Sequence, residues 1–388
     1  MGGRSTGRHW CSFPRTVIYL LTVIACISAA YQVTALIACL RQLLRPATVV
    51  RNPQSISILK PVRGLDPDFY AAIRSHATQH YPVPFEILFG AADPSDPCLL
   101  EIEKLQREFP NLDIRIIHAT TSAPNAKVGA LIDLAAQARY DILLVNDSDI
   151  LVPQSYLKKV SAPLDNPQVG IVTTLYRATA HTMPGRWESL GIAIDFAPSV
   201  LVAPLVGIKE FGLGATLVFR KADLNAIGGF EKIADYLADD YQLARHITQQ
   251  LSKRAYMSEV VVETSIGDDT WAGVWEHQIR WARTIRVSRG GGYLGLPITH
   301  TGLWILLAIL SGAWSLAAAL TMCRWMTAFV SGFFVLRSPI ARRAFWLAPV
   351  WDLWAFLVWM AGLTGSTVIW RDGVLTLTRD GKLLRQVP

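Results

Sequence analysis

The chain has 388 residues, 51% hydrophobic and 17% charged, with 37 Lys and Arg against 30 Asp and Glu for a formal net charge of +7. With a mean hydropathy of +0.30 it is too apolar for an ordinary soluble enzyme, and its length allows one domain of roughly 200–250 residues plus membrane segments. No interleaving of aromatic and basic residues points to nucleic acid, and five cysteines without metal-ligand spacing argue against a disulfide framework or a zinc site.

Residues 1–15 read as a tail with Arg4, Arg8 and Arg15, and residues 16–40 as a nearly uninterrupted apolar run without charge. At ~1.5 Å per residue that run reaches ~37 Å, enough to cross a bilayer with some tilt. Arg41-Gln42-Leu43-Leu44-Arg45 follows it in place of a small-residue cleavage site, so a retained anchor is expected rather than a signal peptide. Between 55 and 295, strands are predicted over 55–59, 85–89, 112–117 and 141–145, and helices over 69–80, 98–109 and 126–138. This alternation predicts an α/β domain with a mostly parallel sheet covered on both faces. Ligands then belong just beyond the C-terminal ends of the strands.

From Pro297 the chain turns apolar again. Residues 301–322 are long enough to span, 325–336 are short enough for a re-entrant or tightly packed segment, and 344–370 form a long run broken by Pro349 and Asp352. Asp352 is expected to face protein, water or the interface. Trp346, Trp351, Trp354, Trp359 and Trp370 fit an interfacial aromatic belt. Residues 296–371 are therefore expected to form membrane or interfacial helices and 372–388 a tail. Arg41, Arg45 and Arg51, and later Arg337, Arg342, Arg343 and Arg371, flank the apolar runs, where they favour anionic headgroups or simply hold a span in place.

Five polar clusters fall where such a sheet presents its ligands. A buried strand ends in Asp147-Ser148-Asp149; two carboxylates one residue apart can hold Mg2+ or Mn2+ against the phosphates of a nucleotide diphosphate. Alone, the pair reads more readily as a turn with helix-capping aspartates before Pro153. Phe89-Gly90-Ala91-Ala92-Asp93 puts Asp93 after another strand, placed to accept from the donor's uracil or to shape a turn. In Asn125-Ala126-Lys127, Asn125 can cap a helix and Lys127 can offer a point charge to the donor. Asp239-Asp240 opens a helix; one carboxylate can cap it and leave the other as general base, or both can pair with the helix dipole. Arg280, Arg283 and Arg286 share a helix face with Trp281 beside them, either on a diphosphate or lying on lipid.

Taken in order, these elements resemble the processive-type glycosyltransferase pattern D, D, D, (Q/R)xxRW, and the chain is similar to ceramide glucosyltransferases and to bacterial relatives that glycosylate hopanoid lipids. The similarity runs from Ser57-Ile58-Leu59-Lys60-Pro61 to the Trp-rich end. It implies a GT-A fold, Rossmann-like with a mostly parallel sheet, between N-terminal and C-terminal transmembrane helices, and an inverting reaction. It implies that Asp93 and Asp147 are the first two aspartates, that Asp149 completes a metal pair with Asp147, and that Asp240 is the catalytic base. Lys127, Arg280, Trp281 and Gln278 then serve the donor, and Asp239, Gly212, Gly214 and Trp281 the acceptor side. Position 277 departs from the pattern: His277 stands where Gln or Arg is expected, with Gln278 one place later, and either can serve the motif. The implied partners are a UDP-sugar, a lipid acceptor and the bilayer, with the catalytic domain cytosolic on a bacterial inner membrane, because nucleotide sugars are made in the cytosol. A processive polysaccharide synthase and a non-catalytic scaffold are the alternatives.

Overall fold

The computed structural model describes residues 15–46, 48–267, 270–370 and 373–385. The N-terminal tail with Arg4, Arg8 and Cys11, and Arg371 near the other end, lie outside the described residues, as does the side chain of Trp370. Seven strands form one sheet: β1 (Ile56–Pro61), β2 (Phe85–Ala91), β3 (Asp113–His118), β4 (Ile142–Val145), β5 (Val169–Thr179), β6 (Leu217–Arg220) and β7 (Arg254–Ser265), in the order β3-β2-β1-β4-β6-β5-β7. β1 to β4 pair in parallel, β6 runs antiparallel to both β4 and β5, and β5 pairs with β7 in parallel. The four strands expected from sequence are all present, within two residues at each end.

The alternation of buried side chains explains both faces. Ile56 and Ile58 of β1 pack with Phe69 and Ile73 of the helix Phe69–Ala77 and with Ile102 of Cys98–Glu108. Leu59 points the other way, onto Val128, Leu131 and Leu134 of Ala126–Gln137 and Leu243 and Ile247 of Asp239–Gln250. A strand buried on both faces needs mostly apolar residues: β4 supplies an unbroken run, while β1 and β2 are interrupted by the buried Ser57, Lys60 and Glu86. The antiparallel β6 then does something the parallel strands cannot: Leu217 pairs with Val145, so the turn before β6 lands beside the residues that follow β4.

The apolar segments assemble differently from their sequence reading. Among the described residues, four helices are long and apolar enough to cross a membrane: Tyr19–Leu43, Met183–Val206, Trp314–Val335 and Pro339–Gly362, and Gly290–Ile298 with Thr301–Leu310 forms a fifth candidate bent by 42°. The first matches the expected anchor. Met183–Val206 falls inside the stretch expected to be soluble. Residues 301–322 are not one helix: Gly312, at φ +77°, ends the first piece in the left-handed conformation that glycine adopts without strain. Residues 325–336 are not a separate segment but the continuation of Trp314–Phe329 through Val330–Val335. Pro349 opens the helix Ala348–Gly362, where its missing N–H costs nothing. Trp351 is buried, with its indole N–H on Asp195 Oδ2 at 3.0 Å, and so is no part of a membrane-interface belt; Trp346 remains exposed.

The last described residues form a small antiparallel sheet of β8 (Thr367–Trp370), in the stretch expected to be helical, with β9 (Gly373–Leu377) and β10 (Leu383–Arg385), where a tail was expected. It is tied to the main domain by Leu383 N–H donating to the Asp235 carbonyl at 2.7 Å and by Lys382 Nζ 3.6 Å from the Asp235 carboxylate. Arg283 and Arg286 do not form a lipid-facing stripe. Arg283 donates to the Thr364 carbonyl at 3.1 Å and Arg286 to the Gly362 carbonyl at 2.7 Å, closing the C-terminal end of Ala348–Gly362 with positive charge.

Candidate active site

A cleft of about 1040 Å³ opens at the C-terminal edge of β1, β2 and β4. Asp147 and Asp149 enter it directly after β4, Lys127 from the first turn of Ala126–Gln137, and Asp239 and Asp240 from the first turn of Asp239–Gln250. Asn125 caps the Lys127 helix through Val128 N–H at 3.3 Å, and its amide also donates to the Tyr236 carbonyl at 2.9 Å. One side chain thus fixes both the lysine and the approach to the two aspartates.

Lys127 Nζ lies 2.7 Å from Asp147 Oδ1 and 3.3 Å from Asp239 Oδ2. Burial works against its ammonium, but Asp147, Asp239 and Asp240 outweigh burial and hold its pKa above the ordinary lysine value. Asp240 accepts from Gly214 N–H at 2.9 Å and from its own neighbour Tyr241 N–H at 2.7 Å. The helix cap is Ala238, so neither aspartate is consumed as a cap. Burial and the adjacent Asp239 raise the Asp240 carboxyl to about 6, with Lys127 pulling the other way. The turn before β6 reaches this close because it has glycines: a Cβ on Gly214 would stand 3.2 Å from Asp147 Oδ2, and one on Gly212 would stand 2.7 Å from the Asp240 carbonyl oxygen. Gly214 lines the cleft, and Gly212 supports it from behind.

Asp93 sits at the β2 end of the same cleft, its Oδ1 held by Ser95 N–H at 2.8 Å in a turn; those hydrogen bonds lower its pKa. Arg280 and Trp281 line the other end. There the wall is aromatic: Tyr176 and Phe196 have ring centroids 5.5 Å apart, Phe196 and Trp281 6.0 Å, and Trp281 and His277 4.7 Å. His277 lines the cleft, whereas Gln278 turns away and donates to the buried Glu188 at 2.8 Å. Helical spacing accounts for this: 277 lies one turn before 280 and 281 and two before 284, which all line the cleft, whereas 278 is flanked on the next turn by 281 and the buried Ala282.

Asp149 is partly buried; burial and then Asp147 raise it to about 6, and Thr264 Oγ1 donates to its Oδ2. Two crowded carboxylates, one of them half-exposed, are a hard-oxygen donor pair short of positive charge. Among the described residues no three His, Cys, Asp or Glu side chains gather around a point. The pair fits an ion such as Mg2+ or Mn2+ that takes one or two carboxylates and completes its shell with phosphate and water.

A profile of glycosyl transferase family 21 matches residues 17–383. The chain belongs to glycosyl transferase family 21. It is 25% identical over 253 residues to ceramide glucosyltransferase 1 of Caenorhabditis elegans, a match covering 64% of this chain and 52% of the relative, so the matched part spans about half that relative's length. It is 27% identical over 197 residues to the beta-monoglucosyldiacylglycerol synthase of Synechocystis sp., covering 50% of this chain and 38% of that one. A mannosyltransferase from Pyrobaculum calidifontis, solved with GDP-Man and Mn2+, superposes with a TM-score of 0.54 at 18% identity, covering 88% of this chain and 97% of that one. The fold of this family 21 chain is GT-A.

Two parts of the site escaped the sequence reading. Lys60 is fully buried beneath the Asp147 turn, with Nζ 2.8 Å from Asn146 Oδ1 and 3.0 Å from the Asp147 carbonyl; burial lowers it to about 7 against the pull of Asp149 and Asp147. Asn146 in turn donates to His76 Nε2 at 2.6 Å. A lysine inside a two-face-buried strand was the available signal, since such a group is almost never buried unpaired. Glu188 is the other, fully buried between His277 Nδ1 at 2.7 Å and Gln278.

Proposed function

We propose that the chain is an inverting transferase that moves a hexose from a UDP-sugar to the hydroxyl of a membrane lipid, working from the cytosolic face of a bacterial inner membrane. The observation that carries this reading is the cleft itself. Asp147, Asp239 and Asp240 converge around Lys127 at one end, with Asp149 lining the same cleft, and an aromatic wall continuous with the apolar helix Met183–Val206 closes the other. Ceramide glucosyltransferase 1 and the beta-monoglucosyldiacylglycerol synthase are relatives named for acting on lipids, and the mannosyltransferase was solved with a nucleotide sugar and Mn2+.

In this mechanism Asp240 takes the proton of the acceptor hydroxyl, the oxygen attacks the anomeric carbon, and the bond to the nucleoside diphosphate breaks on the opposite side. Gly214 N–H and Tyr241 N–H hold the Asp240 carboxylate in place. Asp147 and Asp149 would hold Mg2+ or Mn2+, which when bound neutralises charge on the departing UDP. In this reading Asp93 receives the uracil, Arg280 the diphosphate and Trp281 the acceptor; all three line the cleft.

The test is a donor and acceptor panel: UDP-glucose and UDP-N-acetylglucosamine against a ceramide, a hopanoid polyol and a diacylglycerol, with products read by mass spectrometry. A lipid carrying one sugar is expected; a polymer would instead identify a processive synthase. Asp240→Asn should lower turnover about a hundred- to ten-thousand-fold, the usual contribution of a positioned base, while UDP binding persists. Full turnover in that variant removes Asp240 from the role.

A further inference from the structure

We propose that the C-terminal sheet is a wall of the active site whose Leu375, packed beside Leu237, keeps bulk water from Asp240 and so commits the sugar to a lipid hydroxyl. The inference rests on the transferase reading above and deepens it.

The sheet is fastened where the base enters the cleft. Asp235-Tyr236-Leu237 runs just ahead of Asp239 and Asp240. On one side β10 and the turn before it grip this segment. Leu383 N–H donates to the Asp235 carbonyl at 2.7 Å, Leu237 N–H to the Gly381 carbonyl at 3.4 Å, and Lys382 Nζ stands 5.5 Å from the centre of the Tyr236 ring. On the other side is Asn125, the cap of the Lys127 helix. Its amide donates to the Tyr236 carbonyl at 2.9 Å and its backbone N–H to the Ala234 carbonyl at 3.0 Å. Arg283, one turn from Arg280, holds the other edge through the carbonyls of Thr364 and Thr367. The sheet thus touches both the segment that delivers the base and the helix that carries Arg280.

Strand alternation decides what it presents. Val368, Leu377 and Leu383 are buried together, and Leu375 and Leu237 pack against them. Val374, one residue along, is exposed on the opposite face. Among the described residues of the sheet, Leu375 is the one that lines the cleft. A leucine there offers no hydrogen bond to a donor or an acceptor; it displaces water. Asp239, beside the base, keeps only 8% of its surface. The protection matters because a base that takes a proton from a lipid hydroxyl can also take one from water. In that side reaction Asp240 receives a proton of water, the water oxygen bonds to the anomeric carbon, and the bond from that carbon to UDP breaks, leaving free hexose and UDP. An apolar wall around the base suppresses it by excluding the competing nucleophile.

The experiment uses the full chain in detergent with its lipid acceptor in excess, and follows UDP release and glycolipid formation in parallel; the difference is hydrolysis. In the parent the two should nearly match. Leu375→Ser should raise the hydrolysed fraction about 10-fold, a change of about 1.4 kcal/mol between two competing barriers, with UDP affinity unaltered. Leu375→Met keeps an apolar side chain of similar volume and should stay near the parent, as should Val374→Ser. Leu383→Pro lacks the N–H that the Asp235 carbonyl accepts; it should raise the fraction as well and speed hydrogen exchange over residues 235–238. A purely structural role for the sheet would lower both products and leave their ratio alone. Leu375→Cys gives a measurement independent of turnover: a water-soluble thiol reagent should modify it, with the parent's own cysteines as blank, and UDP with Mn2+ should slow that modification. A hydrolysed fraction unchanged in Leu375→Ser, or modification of Leu375→Cys indifferent to UDP and Mn2+, overturns the proposal. A parent that forms no glycolipid with any lipid offered sinks the transferase reading instead.

Discussion

Asp240 is charged only above about pH 6, because burial and Asp239 raise it and Lys127 only partly offsets them. A base must be charged to accept a proton, so kcat/KM should fall on the acid side with a midpoint near 6. Removing Lys127 removes a nearby positive charge that lowers this pKa, so Lys127→Met should move the acid limb to higher pH. Asp149 titrates in the same window, but there protons compete with the cation, and excess Mg2+ or Mn2+ should suppress that part of the limb while leaving the Asp240 part. A pH–rate profile of parent and variant at two cation concentrations checks both statements; a limb unmoved in Lys127→Met would separate Asp240 from Lys127. The carboxylates behind this prediction were legible in the sequence because each follows a strand or opens a helix. Glu188 and Lys60 were not, because their meaning depends on partners 89 and 86 residues away, His277 and Asn146.

At the scale of elements, the sheet was readable and the apolar helices were less so. β1 to β4 announce themselves by short apolar runs ending in polar residues. Met183–Val206 does not: it opens with Met183-Pro184-Gly185-Arg186-Trp187-Glu188 and carries Asp195, which break a hydropathy pattern although Thr182 caps a continuous helix through Gly185 N–H at 3.2 Å. Its role depends on close contact. A Cβ on Gly191 would stand 1.9 Å from the Trp351 ring, and Trp351 is itself held by Asp195 on the next turns of the same helix. Gly191→Val should therefore force the helices apart and cost about 1–3 kcal/mol or more by overpacking, read as a lower melting midpoint in detergent. A smaller residue at 351 should recover part of the loss; an unaltered midpoint in Gly191→Val would mean that the two helices do not meet as described.

A buried ion pair ties the C-terminal apolar helices to Met183–Val206. Asp352, expected only to avoid lipid, accepts from Arg324 through both oxygens, at 2.9 Å from Nε and 2.7 Å from Nη2, and also from Gly302 N–H at 2.9 Å. Arg324 Nη1 reaches the Ile194 carbonyl at 2.9 Å, inside the irregular turn Ile192–Phe196 whose Phe196 also faces Trp281 in the cleft. The pair thus links three C-terminal helices to the helix that carries the aromatic wall and Glu188. Both side chains are almost wholly enclosed, so removing one partner leaves an uncompensated charge. Arg324→Ala or Asp352→Ala should each destabilise by about 3–5 kcal/mol, whereas replacing both with well-packed apolar residues should be far milder than either single change. Thermal unfolding of the three variants in detergent tests this. The coupling has a functional reading as well: because Ile194 is two residues from Phe196, the apolar double variant should keep its fold yet show a raised KM for the lipid, and an unchanged KM would mean that the membrane helices hold the domain without shaping its acceptor end.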